Sequence, residues 1–383
     1  MYLIRHAEAE GNLYRRAHGQ LNSLLTKNGI LQTELLGEWF SRRPVDAVYA
    51  SDLFRAFRTA EAVASACRKP VTTDKDLREI RLGEWEDLTW GEIAKSRPDY
   101  MRWFDGESGI TVPGAESYIE SRERLRGALR RIARKHDGQD VAVVSHGCVL
   151  RSLLISLSGG AAVPHLDNAS VSCIEWDGDD TRVLGIGENR FLGELSTHAK
   201  QAWWRDDPRR AHDAELWFDP ARLPEEFPEV LEIRRLAWMA VYGTTEGYAE
   251  DRAKRALTES AETHPRYLQF ATDRDKRIGL LHMRDGGRLS VTDGHVALFY
   301  LNPDKRGKGL GAQLLGEAVS VARSLGKTGL TLRVFHQNTP AINFYRRMGF
   351  SLCGSEQGLF GTVLQMRLGI AVPDGQIAAN GKQ

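Results

Sequence analysis

Short apolar runs alternate with longer amphipathic segments through the first half of the chain. Residues 1–4, 45–50 and 141–145 have the length and composition of buried strands. Residues 29–42, 54–67, 121–135 and 149–157 repeat apolar side chains at helical spacing and predict helices. Strands alternating with helices predict βαβ units around a largely parallel sheet over residues 1–195. Ligands collect at the carboxyl ends of strands in such sheets, where Arg5-His6 and His146-Gly147 fall.

The texture changes over 196–228, with Trp203, Trp204, the Asp206-Asp207-Pro208-Arg209-Arg210 cluster and Pro220, Pro224 and Pro228. A flexible linker is poor in tryptophan, so an ordered connector is expected. The pattern predicts a second unit over 229–368: a strand at 230–235, a helix at 248–263 and strands near 267–272, 278–284 and 296–301. A helix at 309–325, a strand at 329–335 and a helix at 340–348 follow. Residues 369–383 read as a disordered tail.

The 383 residues are enough for two or three domains, and 42% hydrophobic with 27% charged residues excludes a disordered chain. Fifty-two basic against 51 acidic residues give a net charge of +1, which argues against nucleic acid as the main partner. Cys67, Cys148, Cys173 and Cys353 lie far apart, so no zinc site or disulfide framework is expected. The chain begins without the features of a signal peptide and has no apolar stretch of about 18 residues; a cytoplasmic protein with no membrane partner is expected.

Chemistry concentrates in two places. The first opens with Leu3-Ile4-Arg5-His6-Ala7-Glu8-Ala9-Glu10-Gly11-Asn12. Gly19 and Asn22 before Leu25-Thr26-Lys27-Asn28-Gly29 follow, then Ser51-Asp52-Leu53-Phe54-Arg55 and Leu77-Arg78-Glu79. Pro113-Gly114-Ala115-Glu116-Ser117 and Val143-Val144-Ser145-His146-Gly147 complete the series. In this order the blocks resemble the histidine phosphatase superfamily, the phosphoglycerate-mutase-like proteins, and 77–93 looks like the α-ribazole phosphatase branch. The resemblance implies a three-layer α/β/α domain in which His6 attacks phosphorus and is transiently phosphorylated. Arg5 and Arg55 would clamp the phosphoryl oxygens, His146 would complete the pocket, Asn12 would help hold the phosphate, and Glu79 would serve as acid and then base. Glu84 and Glu86 compete with Glu79 for that role, and Arg58 reads as a structural partner. Ala7 stands where the family has glycine and Ala9 where it has Ser or Thr, which bears on substrate type. The domain has little room for the extra segments of the mutases, so phosphatase is favoured.

The second place is Arg306-Gly307-Lys308-Gly309-Leu310-Gly311, which follows an apolar run and opens a helix, a cradle suited to a pyrophosphate. With Asn338-Thr339-Pro340 through Tyr345 to Phe350 it resembles the GNAT acetyltransferases, an α/β fold with a splayed mixed sheet. The resemblance implies acetyl-CoA as co-substrate, with Leu298, Phe299 and Tyr300 lining the gap, Asn338 touching the pantetheine arm and Tyr345 protonating the thiolate. The general base stays open: where many relatives have glutamate this chain has His295, which reads equally as a base or as a strand-edge histidine.

The expectation is a bifunctional enzyme acting on a small phosphorylated metabolite and a small amine acceptor, possibly one molecule, with no metal. The alternative is a phosphatase regulated by a non-catalytic module that senses acetyl-CoA.

Overall fold

The computed structural model describes residues 1–104, 110–177, 180–200, 215–286 and 290–373. It divides into two compact units, each with its own sheet: the first takes residues 1–88 and 93–200 and the second 89–92 and 215–371, with 201–214 outside the described residues. Trp203, Trp204 and the Asp206 to Arg210 cluster, on which the expected connector rests, lie outside them too.

The first sheet holds β1 (Tyr2–Arg5), β2 (Ala47–Ala50), β3 (Val71–Thr73), β4 (Val141–Ser145), β5 (Val171–Asp177) and β6 (Asp180–Glu188) in the order β3-β2-β4-β1-β5-β6. Strand alternation sends neighbouring side chains to opposite faces. Ile4, Val48 and Val144 pack with Leu36, Phe40, Ala60 and Val63 of helices Lys27–Ser41 and Phe54–Cys67. Leu3, Tyr49 and Val143 pack on the other face with Leu125, Leu129, Leu150 and Leu153 of helices Tyr118–Lys135 and Gly147–Leu157. These are the expected three layers. Four of the sheet's six strands, β3-β2-β4-β1, run parallel as expected, and β5 and β6 add an antiparallel edge hairpin. Most of β6 is exposed, so it lacks the apolar run that marks a buried strand.

The second sheet runs β12-β13-β11-β10-β9-β8-β7, with β7 at Trp217–Pro220, β8 at Leu268–Asp273, β9 at Lys276–Asp285 and β10 at Asp293–Leu301. Gly329–Phe335 forms β11, Ser351–Gly358 β12 and Gly361–Gly369 β13. Two expectations need correction. The strand expected at 230–235 lies inside helix Phe227–Tyr242, where Pro228 occupies the first turn. Val230, Leu231, Ile233 and Ala237 pack into one core while Glu232, Arg235 and Leu236 are exposed, a helical rather than an alternating pattern. The ordered chain also runs past residue 369: Ile370 is fully buried, donates to Thr328 O at 2.9 Å and accepts from Arg323 Nε at 2.8 Å. Residues 374–383 lie outside the described residues. Since β7 belongs to the second sheet, that sheet begins before residue 229.

Only β10 and β11 pair in parallel in this sheet, and only from Asp293 to Val296. A bulge between Val296 and Leu298 turns β10 away, and through Leu301 it keeps β9 but not β11 as a partner. The sheet therefore splays between Leu298–Leu301 and the end of β11. Among the described residues no helix is long and apolar enough to cross a membrane.

Candidate functional site

Parallel pairing of β1 with β4 sets Arg5 opposite Ser145, so the next residues, His6 and His146, emerge side by side with ring centroids 5.1 Å apart. Arg55 joins them from the first turn of helix Phe54–Cys67, which starts just beyond β2. All three are nearly or fully buried. His6 Nδ1 lies 2.8 Å from Ala7 O, which can only accept, so Nδ1 carries the proton. Nε2 then bears the lone pair and accepts from Arg55 Nε at 3.3 Å. The remaining Arg55 donors reach Leu21 O at 2.7 Å and Gly19 O at 2.8 Å, which fixes the fork.

Burial first, then Arg55 and Arg5, hold the His6 pKa well below its ordinary 6.5; burial and the same arginines do so for His146. Both rings are neutral near pH 7. Burial lowers Arg55 to about 10, opposed by Glu79 and Glu86, so the guanidinium stays charged. Arg5 Nη1 donates to Leu166 O, while Arg5 Nε and both ring nitrogens of His146 have no hydrogen-bond partner among the described residues. Unsatisfied buried donors are costly, and here they sit beside a helix N-terminus where an anion is favoured. A Cβ at Gly147 would come within 2.9 Å of Arg5 Nε, so glycine lets that guanidinium lie against the helix start.

Glu79 reaches the same helix start. Its Oε1 accepts from Ile80 N at 3.0 Å and Val149 N at 2.9 Å, and Oε2 from Cys148 N at 3.0 Å. Of the three competing glutamates it is the one bonded beside His146. Glu86 Oε1 instead accepts from Gln20 N and Leu82 N. Asn12 Oδ1 accepts from Ala9 N at 3.0 Å and Asn168 Nδ2 at 3.1 Å, a helix cap one residue removed from His6. Arg58 is exposed and pairs with Glu61 at 2.5 Å. Ala7 is fully buried against Ala169 and Leu192, so its methyl is accommodated. Ala9 caps helix Glu10–Tyr14 without a side-chain oxygen.

Several supporting residues were not found in the sequence. Asn168 donates to His6 O at 3.1 Å, and Thr59 Oγ1 accepts from Ala7 N at 3.0 Å and donates to Arg55 O at 2.7 Å. Arg124 pairs with Glu116 at 2.9 Å and donates to Glu79 O at 3.2 Å. The Asp167-Asn168 pair just before β5 is the one local signal for this shell.

In the second unit, Arg306 Nε donates to Leu301 O at 2.9 Å and its guanidinium lies 5.6 Å from the Tyr300 ring. Gly307 and Gly309 take φ of +72° and +80°, with Lys308 between them. Open space surrounds both, so conformation rather than crowding requires glycine. Gly309 begins helix Leu310–Ser324 with no side-chain cap, leaving first-turn amides for an external acceptor. Leu310 itself is buried in the core and contributes backbone only. A Cβ at Gly311 would stand 3.0 Å from the Phe344 ring, so this glycine allows close helix packing.

The expected gap lining is corrected in part. Leu298 and Tyr300 point into the core of helices Phe227–Tyr242 and Glu250–Thr263, and Phe299 into the opposite core, so the backbone of these residues faces the missing partner strand. Tyr345 packs edge-on to Phe299 with ring centroids 6.2 Å apart, and burial raises its phenol pKa, which keeps it protonated. Asn338 caps helix Thr339–Arg347, accepting from Ala341 N at 3.3 Å. His295 is not at a strand edge, since β10 is paired on both sides there. Burial, Arg284 and Arg333 lower its pKa to about 4. Among the described residues no group of three or more His, Cys, Asp or Glu side chains is placed to hold a metal ion.

Comparison with known proteins agrees with both geometries. Residues 1–189 match the histidine phosphatase superfamily (branch 1), and residues 227–350 match the acetyltransferase (GNAT) family. Phosphoglycerate mutase-like protein 4 of Arabidopsis thaliana is 36% identical over 50% of this chain and 86% of its own length. The metal-independent phosphoserine phosphatase of the same plant is 37% identical over 45% of this chain and 74% of its own. Phosphoserine phosphatase 1 of Hydrogenobacter thermophilus (strain DSM 6534 / IAM 12695 / TK-6) is 31% identical over 53% and 98%. The chain therefore belongs to the histidine phosphatase superfamily through residues 1–189, and carries beside it, in residues 227–350, a domain of the GNAT acetyltransferase family.

Proposed function

We propose that the chain is a bifunctional enzyme: it hydrolyses a small phosphate monoester through a phosphohistidine at His6 and transfers acetyl from acetyl-CoA to the amine of a small metabolite. The observation that carries the first half is the fixed tautomer of His6, neutral at Nε2 and flanked by Arg55 and the unpartnered donors of Arg5 and His146. His6 Nε2 attacks phosphorus, and the ester P–O bond breaks as the two guanidiniums take up charge on the non-bridging oxygens. Glu79 gives the leaving alkoxide its proton and then accepts one from the water that cleaves the P–N bond. Inorganic phosphate leaves and His6 returns to its neutral form. The names of two relatives support a phosphorylated amino acid or similar amine as substrate.

In the second half, the splay of β10 from β11 admits the thioester, the glycine loop receives the pyrophosphate, and Tyr345 returns a proton to the thiolate. One observation favours the second reading, a non-catalytic sensor of acetyl-CoA. No carboxylate stands at the His295 position, and a ring that titrates near 4 is a weak base. Release of phosphate and consumption of acetyl-CoA, each followed with a panel of phosphorylated and free amines, tests both halves. Phosphate release that persists in His6→Ala sinks the first half. Saturable binding of acetyl-CoA without acetylation of any amine favours the sensor.

A further inference from the structure

The side of the second sheet away from the glycine loop carries charge that acetyl transfer does not by itself require. Strand register puts His282 and Arg284 of β9, His295 of β10, Thr331 and Arg333 of β11, and Arg367 of β13 on one face. Arg284 is opposite His295, His295 opposite Thr331, and Thr331 opposite Arg367. Arg234 joins them from helix Phe227–Tyr242: its Nη1 donates to His282 Nδ1 at 2.8 Å, and His282 Nε2 donates to Ser260 Oγ at 2.9 Å. Helix Leu310–Ser324, with the loop at its start, packs on the other face, where Gly294 meets Ala322. On the first face a cavity of about 290 Å³ is lined by Asp293, His295, Thr331, Arg333 and Arg367 among others.

Four guanidiniums share this region with two carboxylates that pair with them. Arg367 holds Asp293 with two bonds of 2.7 and 2.9 Å, and Arg333 contacts Glu356. Arg234 and Arg284 have no carboxylate within ion-pair distance among the described residues, and Arg234 Nε is buried without a hydrogen-bond partner. Burial first, then Arg284, lowers Arg234, with Tyr248 opposing; burial first, then Arg333, lowers Arg284, with Glu259 opposing from helix Glu250–Thr263. The buried, unpartnered Nε of Arg234 is costly, a bidentate anion would satisfy it, and Arg284, exposed on the same face, offers that anion a second fork.

We propose that this face is the acceptor side of the acetyl-transfer site, and that Arg234 and Arg284 select amines carrying an anionic group, a carboxylate or a phosphate. This rests on the acetyl-transfer reading of the second domain. Arg234 is bonded to His282, and His282 is opposite Leu298, where β10 begins to stand free of β11. An anion held there leaves the amine of the same molecule at the gap. The amine nitrogen attacks the thioester carbonyl carbon, the C–N bond forms and the C–S bond breaks. The thiolate takes a proton from Tyr345, and the proton lost by nitrogen passes to solvent, from which Tyr345 is restored.

Four amines on one skeleton test the proposal: ethanolamine, serine, O-phosphoethanolamine and O-phosphoserine. They are assayed with acetyl-CoA in a His6→Ala chain, so that the phosphate esters survive. The three anionic amines are expected to exceed ethanolamine in kcat/KM by about ten-fold or more. Adding Arg284→Ala should raise their KM by about ten-fold while the KM of acetyl-CoA and the slow reaction of ethanolamine stay within about two-fold. Serine against O-phosphoethanolamine decides which anion is preferred. Equal kcat/KM for all four, or an equal loss for all four in Arg284→Ala, overturns the proposal. Arg234→Gln is a second variant; Arg284 is exposed, so its variant does not depend on refilling a buried site. If no amine is acetylated, the acetyl-transfer reading fails by itself. Calorimetric titration of serine and O-phosphoethanolamine into the CoA-loaded chain then decides the anion site: binding lost in Arg284→Ala supports it, and binding absent or unchanged overturns it.

Discussion

The proton on His6 Nδ1 goes to the carbonyl of the next residue, and that one bond leaves Nε2 as the nitrogen with a lone pair for the proposed attack on phosphorus. Burial and two guanidiniums then keep the ring neutral, so its charge state does not change between pH 8 and 6. The kcat/KM profile for p-nitrophenyl phosphate is accordingly expected to have no inflection near 6.5; an acid limb centred there that disappears on replacing His6 would contradict the assignment. Stability carries the opposite signature. An unfolded histidine takes up a proton below about 6.5, whereas His6, His146, His282 and His295 have lowered pKa values in the fold. Stability contributed by keeping them neutral is full above that pH and is lost as pH falls through it, measurable as a falling melting temperature between pH 7 and 5. Arg55→Lys cannot serve His6 Nε2, Gly19 O and Leu21 O together, and kcat/KM for a phosphate ester is expected to drop about 10²–10³-fold. At this scale the residues that the fold gathers were legible, because Arg5, His6, Arg55 and His146 sit at a strand end or a helix start and Glu79 in a contiguous motif. Asn168, Thr59 and Arg124 were not, because their partners lie 162, 52 and 45 residues away in the chain.

Elements place these groups. Parallel register between β1 and β4 pairs the two histidines, and Glu79 ties the chain after β3 to the start of helix Gly147–Leu157. Glu79→Ala strands three amides and is expected to lower stability by about 1–3 kcal/mol as well as activity. Glu79→Gln keeps the oxygen that serves Ile80 N and Val149 N but turns an NH2 toward Cys148 N, so thermal melting should recover in part while phosphate release stays impaired; full recovery of release would remove Glu79 from the proton transfers. In the second unit, Gly309→Ala forces a Cβ into φ +80°, a strain of about 1–2 kcal/mol, and should weaken CoA binding about ten-fold by calorimetry. The splay was expected only through the family resemblance that the glycine loop and the Asn338 to Phe350 motif carry. Helix Phe227–Tyr242 was not: in Val230-Leu231-Glu232-Ile233 a short window fits a strand, and only the longer spacing to Ala237 shows the helical face. The hairpin β5–β6 escaped notice because an edge that is mostly exposed gives little apolar signal.

At the scale of the molecule, two units with separate cores carry the motifs of two families, and the chemistry proposed for each calls for a cationic pocket. The near-zero net charge conceals this, because the guanidiniums of helix Tyr118–Lys135 are spent on neighbours such as Asp74, Asp76 and Glu116. Tyr345→Phe is expected to slow acetyl transfer while leaving phosphate release unchanged, since its ring packs with Phe299, Phe344 and Phe350 of the second unit. The composition and the two motif sets made the two-domain organisation legible; which molecule each site takes depends on side chains far apart in sequence, such as Arg234 and Arg284. The central claim is a phosphoryl group carried on His6. Intact-protein and peptide mass spectrometry after alkaline quench of the enzyme with a phosphate ester tests it most directly. The expected result is one phosphoryl group on the peptide holding His6, absent in His6→Ala; a phosphoryl group elsewhere, or turnover that survives His6→Ala, would contradict it.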